Sequence, residues 1–153
     1  MRNMLRILIC LALVVGAIGV AYAQFAKPED AIKYRQAAMV LIGQHFGGRM
    51  GAVVKGKQPY DAEEFARNAA LVETLAKLSW EAFLVPGSAE GKTRLKPETL
   101  RAPDKFKAAA AQSEAEITKL VGLAKGGDMK AIKGQFGAVG KSCKGCHQQF
   151  RAK

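Results

Sequence analysis

From Pro28 to Phe150, apolar side chains recur at steps of three and four, which gathers them on one face of an α-helix. In the first segment Ile32, Arg35, Met39, Ile42 and Phe46 share such a face. Pro28 suits a first helical turn, and Glu29 and Asp30 suit the positive end of a helix dipole. Gly47-Gly48 is expected to interrupt this helix, with a weaker resumption from Met50 to Val54. After a polar connection, Asp61 caps a second segment, with Glu64 three positions on in the manner of a capping box. Its stripe is Phe65, Ala69, Val72, Leu75 and Leu78, and it ends near Trp80 to Leu84, ahead of Pro86-Gly87. A third segment opens at Asp104 and buries Phe106, Ala110, Ser113, Ile117, Leu120, Val121 and Ala124 before Gly126-Gly127 stops it. Asp128 caps a fourth, whose stripe is Ile132, Phe136, Val139, Cys143, Cys146, His147 and Phe150. The stretch from Ser88 to Pro103 is the longest loop, of a length associated with function or mobility.

Nothing alternates as a strand does. Four amphipathic helices, the last two joined by two or three residues that force them antiparallel, predict an all-α, antiparallel up-down-up-down four-helix bundle. A bundle core is a place where a cofactor can be enclosed. Gly134, Gly137 and Gly140 are costly inside a helix, at about 1 kcal/mol each relative to Ala. Either a bulky object or neighbouring helix comes close there, or the sequence simply tolerates them.

Upstream of this pattern the chain reads differently. Arg2 and Arg6 precede an apolar run from Ile7 to Val20, and Ala21-Tyr22-Ala23 is a small-residue cleavage site. Residues 1–23 therefore read as a secretory signal peptide, too short for a comfortable membrane span, and residues 24–153 as one domain. Cleavage would remove Cys10 and leave two cysteines, too few for a disulfide framework in an exported protein. It would also lower the formal charge from +11 to +9, since Arg2 and Arg6 are the only charged side chains removed. A basic surface suits an acidic redox partner, an anionic membrane face or plain solubility. Export and the lack of any recognition motif argue against nucleic acid, and no stable membrane insertion is expected after cleavage.

The candidate chemistry lies in the last helix. Cys143-Lys144-Gly145-Cys146-His147 is C-x-x-C-H, the attachment signature of c-type haem. Residues i, i+3 and i+4 fall on one helical face, so both sulfurs and the imidazole can address one flat cofactor. Zinc wants about four ligands, and the chain offers only His45 besides, with no second cysteine pair. A thioredoxin-like pair wants a βαβ context, and a structural disulfide would leave His147 unexplained. No general acid or base stands beside the motif, so catalysis is not expected.

With this motif near the end of a four-helix chain of 130 mature residues, the sequence resembles the cytochrome c′ family, the class II c-type cytochromes. Gln24-Phe25-Ala26-Lys27-Pro28-Glu29-Asp30 and Lys33-Tyr34-Arg35-Gln36 share in the resemblance. It implies one covalent haem c per chain, with Cys143 and Cys146 in thioether links and His147 as axial iron ligand. It implies Arg35 at a haem propionate with Gln36 nearby; the bare sequence also allows an Arg35 that snorkels into water. Arg151 would border the proximal face, or be an exposed terminal charge. Met39 would lie on the distal face, where such proteins leave the iron open to nitric oxide or carbon monoxide. The alternative is a six-coordinate, low-spin electron carrier with Met39 as sixth ligand. His45 is a weaker candidate for that position, and Met50 and Met129 read as peripheral. The resemblance further implies a periplasmic location, electron transfer with redox partner proteins, and a homodimer, for which Val40 and Leu41 offer a face.

Overall fold

A computed structural model describes residues 24–153, so the signal sequence assigned to residues 1–23 lies outside the described residues. The helices are α1 (Pro28–Ile42), α2 (Gly51–Val54), α3 (Ala62–Trp80), α4 (Glu98–Arg101), α5 (Pro103–Ala124) and α6 (Met129–Phe150). The long ones form an antiparallel four-helix bundle in which α1 packs on α3, α3 on α5 and α5 on α6.

Local sequence sets the helix ends. Pro28 starts α1 at a position where its missing N–H costs nothing. The Asp61 carboxylate accepts from the Glu64 N–H at 2.7 Å, the first half of a capping box. Asp128 accepts from the N–H groups of Lys130 and Ala131, and Gly127, at φ +73, makes the tight turn between α5 and α6.

Gly47-Gly48 does not break the first helix. The chain runs from α1 through a π-helical stretch, Gly43–Met50, directly into α2. A π turn is wider than an α turn, and it shifts the side chains that follow to another face. Met50, at the end of this stretch, is among the most buried residues, at 1% exposure, and does not line the cavity described below. Another expectation is corrected. Leu78, placed in the core stripe, is an exposed apolar residue. The long loop carries the one-turn helix α4 and is tied down along its length, as described below.

The interior is divided. Met50, Phe65, Ala69, Val72, Ala76, Ile117, Leu120, Ala124, Ile132 and Val139 form one apolar cluster. Leu95, Phe106, Ala110 and Phe150 form a second. A domain of this size ordinarily packs one contiguous core, and the space between the two clusters needs an explanation.

Candidate haem site

That space is a cavity of about 660 Å³. Val72, Ala76, Ile117 and Val139 of the first cluster and Leu95, Phe106 and Phe150 of the second line it. Cys143 packs against the first cluster and Cys146 against the second, so the motif spans the gap. Their helical spacing turns both thiols and the His147 ring to the cavity. The α1 wall contributes Arg35, Gln36 and Met39, and the π stretch adds Gly43, Phe46 and Gly47. All six side chains singled out in the sequence thus border one space.

The thiols lack the electropositive surroundings of a reactive redox pair. Both are free, and burial pushes Cys143 upward and Cys146 up to about 11, whereas a reactive thiol is held low by nearby positive charge. Burial, then the charges of Arg151 and Arg94, lowers the His147 pKa, so its ring is neutral at neutral pH and keeps a lone pair for a metal. Among the described residues no group of three or more His, Cys, Asp or Glu side chains is arranged to hold a metal ion by itself.

Arg35 is fully interior, at 3% exposure, and its head does not reach water as a snorkelling side chain would. Nη1 donates to the Ala82 carbonyl at 2.8 Å and to Ser88 Oγ at 2.9 Å. Nη2 donates to the Ser88 carbonyl at 2.5 Å and to Thr93 Oγ1 at 2.8 Å. The guanidinium also lies over the Phe83 ring, 5.3 Å from its centroid. Burial lowers its pKa to about 10, which leaves it charged at neutral pH. Gln36 Nε2 donates to the Lys92 carbonyl at 2.9 Å. The helix therefore grips the loop from Ala82 to Thr93.

The same loop clasps the end of α6. Leu95 and Arg151 form an antiparallel bridge, and Lys96 Nζ donates to the carbonyls of Gln148 and Gln149 at 3.1 Å. Cations at a helix C-terminus satisfy its last carbonyls and its dipole. Arg151 is exposed, yet it borders the cavity with Arg94. His45 does not line it; its Nδ1 pairs with Asn68 Oδ1 at 2.7 Å. Gly134 and Gly137 are exposed, and a Cβ on either, or on Gly140, would meet nothing within 4 Å. No neighbouring helix accounts for these three glycines.

Sequence reasoning missed Trp80, Phe83, Thr93 and Arg94, all of which border the cavity. Three of them sit in irregular chain, where periodicity carries no signal. Trp80 is the informative one, because its buried Nε1 has no hydrogen-bond partner. An orphaned buried donor costs about 1–3 kcal/mol. A guest that is flat, largely apolar and edged with carboxylates would fill the gap between the clusters and supply the missing acceptor. Haem fits this description, and two thiols with a neutral imidazole on one wall are the donor set that a c-type haem requires.

The profile of the family described as Cytochrome C' matches residues 30–151. The cytochrome c' of Rubrivivax gelatinosus is 47% identical over 131 residues, covering 85% of this chain and all of that one. A nitric oxide complex of a mutant cytochrome c prime from Alcaligenes xylosoxidans superposes with a TM-score of 0.78 at 45% identity, over 85% of this chain and 99% of that one. A carbon monoxide-bound variant of the same protein gives 0.79 at 44%, over 85% and 100%. Split core, motif and relatives converge: the chain belongs to the cytochrome c′ family, whose cofactor is haem c.

Proposed function

We propose that this chain is an exported electron-transfer haem protein of the periplasm whose iron is open to nitric oxide or carbon monoxide. In this reading residues 1–23 are a cleaved signal and residues 24–153 the working domain. Cys143 and Cys146 would hold the haem by thioether links and His147 would supply a ligand to its iron. The cofactor supplies a reversible one-electron couple and a site for a sixth ligand. The protein orients it, shields it and limits what reaches it; carriage and gas binding, not catalysis, are its work.

One observation carries the reading: an apolar cavity with the C-x-x-C-H side chains on one wall and half-buried Met39 on α1. Three polar side chains that line the cavity with Met39 already make hydrogen bonds. Arg35 and Gln36 are bonded to the loop, and Ser113 donates to the Ala109 carbonyl. Bound oxygen gains most from a hydrogen-bond donor, whereas neutral nitric oxide and carbon monoxide need none. Relatives of this chain are known as nitric oxide and carbon monoxide complexes. Arg35 would lend its charge, and Nε as its remaining donor, to a haem propionate, with Gln36 nearby. Trp80 Nε1, buried without a partner, would be free to donate to a carboxylate of the cofactor.

The alternative places Met39 sulfur on the iron in a low-spin carrier. A thioether lining the cavity is chemically competent for this. Resonance Raman spectra of the exported protein, with and without nitric oxide, separate the two. A high-spin spectrum that changes with the gas supports the open iron. A low-spin spectrum that ignores carbon monoxide and becomes high-spin in M39L supports the alternative.

The proposal includes a homodimer. Among the described residues Val40 and Leu41 on α1 and Leu71 and Leu78 on α3 are the exposed large apolar residues, and a second copy would cover them. Sedimentation of wild type and V40E checks it; an unchanged monomer mass for both removes it.

A further inference from the structure

Three methionines lie among the described residues, in three different settings. Met50 belongs to the first apolar cluster and is sealed inside it. Met129 is half-buried and packs against the same cluster. Met39 is half-buried as well, yet it packs in neither cluster and lines the haem cavity. It does not fill a gap in the core, which is the ordinary use of a flexible thioether.

The wall around Met39 is bare. Gln36, Gly43 and Gly47 line the cavity in the same run, at steps of three and four, and all three are exposed. A Cβ on Gly43 or Gly47 would meet nothing within 4 Å. The cavity therefore meets solvent along this strip, and a molecule not much larger than water can reach the Met39 sulfur. Both Nη atoms of Arg35 and Nε2 of Gln36 are committed to the loop. A new polar atom on Met39 would find none of these donors free.

We propose that Met39 is a modification site: hydrogen peroxide oxidises its thioether to the sulfoxide, and the sulfoxide closes the cavity to gas. The sulfur lone pair attacks one peroxide oxygen, so an S–O bond forms as the O–O bond breaks. Sulfur gives up two electrons and the peroxide takes them. The departing hydroxide accepts the proton left on the transferred oxygen and leaves as water, and no further reactant is needed. A flexible apolar side chain thereby becomes a polar hydrogen-bond acceptor. With the neighbouring donors committed, its oxygen holds water in the cavity, and a neutral gas offers no hydrogen bond in exchange for displacing that water. The effect on gas binding rests on the open-iron reading above.

Peptide mapping and gas titration of the haem-loaded protein test it together. The protein is given a limiting dose of hydrogen peroxide, cleared with catalase and divided. Cleavage after Lys and Arg puts Met39, Met50 and Met129 on separate peptides, residues 36–49, 50–55 and 126–130. Gain of one oxygen should be at least about five-fold faster at Met39 than at Met129, with Met50 unmodified. The other portion is reduced with dithionite and titrated with carbon monoxide. Its affinity should fall at least about five-fold where Met39 is fully oxidised. M39L, a substitution that conserves volume, should stay within about two-fold of its own untreated affinity after the same dose.

Oxidation of Met39 no faster than that of Met129 overturns the modification site. Oxidised Met39 with unchanged carbon monoxide affinity overturns the closure. An equal loss in M39L assigns the effect to damage elsewhere and overturns it as well. A low-spin spectrum before any peroxide is added removes the open-iron reading itself, a result distinct from the others. Should M39L load poorly, methionine sulfoxide reductase takes its place as the control. Removal of the added oxygen should then restore the affinity of the wild type, and removal without recovery overturns the closure.

Discussion

Arg35 and Gln36, on the α1 wall of the cavity, make five hydrogen bonds to one loop. On the α6 wall the His147 ring makes none among the described residues, and Cys143 and Cys146 are free thiols. One wall is finished by the polypeptide; the other is left for a guest. A buried polar group without a partner costs stability, so the chain has concentrated its unmet valence where the family carries haem c. Changes on the two walls should therefore fail differently: on α6 through loss of the cofactor, on α1 through loss of the loop.

The largest effect is expected from replacing both cysteines. C143S/C146S should leave an exported polypeptide whose mass shows no attached group and whose colour, if any, is extracted by acid–acetone. Losing a guest that binds only the folded state should lower the thermal midpoint by roughly 10 °C or more. A variant that kept covalent haem would break the asymmetry outright.

Arg35 comes next. R35M removes the donors that satisfy the carbonyls of Ala82 and Ser88, and a loss of about 2–4 kcal/mol is expected. R35K keeps the charge but not the planar fork and should lose about half as much. Hydrogen exchange should rise across residues 82–93 while haem stays covalently bound. Release of haem with no change in that loop would place Arg35 on the wrong side of the comparison.

The α6 wall also predicts a pH signature confined to the haem-free polypeptide. The folded Cys146 thiol is held up near 11, while the unfolded thiol ionises from about 9. Between these values the unfolded chain has released its proton and the folded chain has not, so stability falls as pH rises through that window. The loss is about 1–2 kcal/mol, discounted because the group is only partly enclosed. His147 works at the other end. Its folded pKa lies below 6.5, so the unfolded chain binds the proton first and stability falls as pH drops below 6.5. Urea midpoints from pH 5 to 11 should form a dome without haem. Thioether formation abolishes the thiol limb, and loaded protein that still showed it would carry an unattached sulfur.

Trp80 sharpens the contrast through a change of sign. Without haem, W80F deletes an orphaned donor and should be neutral or stabilising. With haem it should cost about 1 kcal/mol and alter the propionate bands in the Raman spectrum. The same sign in both states would mean that Trp80 Nε1 has no partner in the guest.

These residues differ in how visible they were beforehand. The C-x-x-C-H group announced itself because covalent attachment demands fixed residue types at fixed spacing. The four stripes were legible because burial imposes the helical period, down to Phe106, Ile117 and Val139. The continuity of the chain through Gly47-Gly48 was not legible, because a π turn changes the phase and hydrophobic spacing measured at 3.6 residues per turn cannot register that. The partners of Arg35 were invisible because Ala82, Ser88 and Thr93 lie 47 to 58 residues away in irregular chain. The divided core could not be read from any segment, since it is a relation among all four helices.

The smallest expected effect concerns the glycines of α6, which belong to neither wall. Gly134 and Gly137 face solvent, and a Cβ there would meet nothing within 4 Å. Helix propensity alone then predicts that G134A and G137A stabilise the bundle by about 0.5–1 kcal/mol each, with haem spectra unchanged. Gly140 is the control, because it lines a solvent-open hollow together with Cys143 and His147. If G140A alone gives up the gain and disturbs the iron spectrum, the glycines divide as the walls do, with one kept for the cofactor's surroundings and two tolerated. If G134A and G137A destabilise the protein instead, something outside this chain packs against that face of α6.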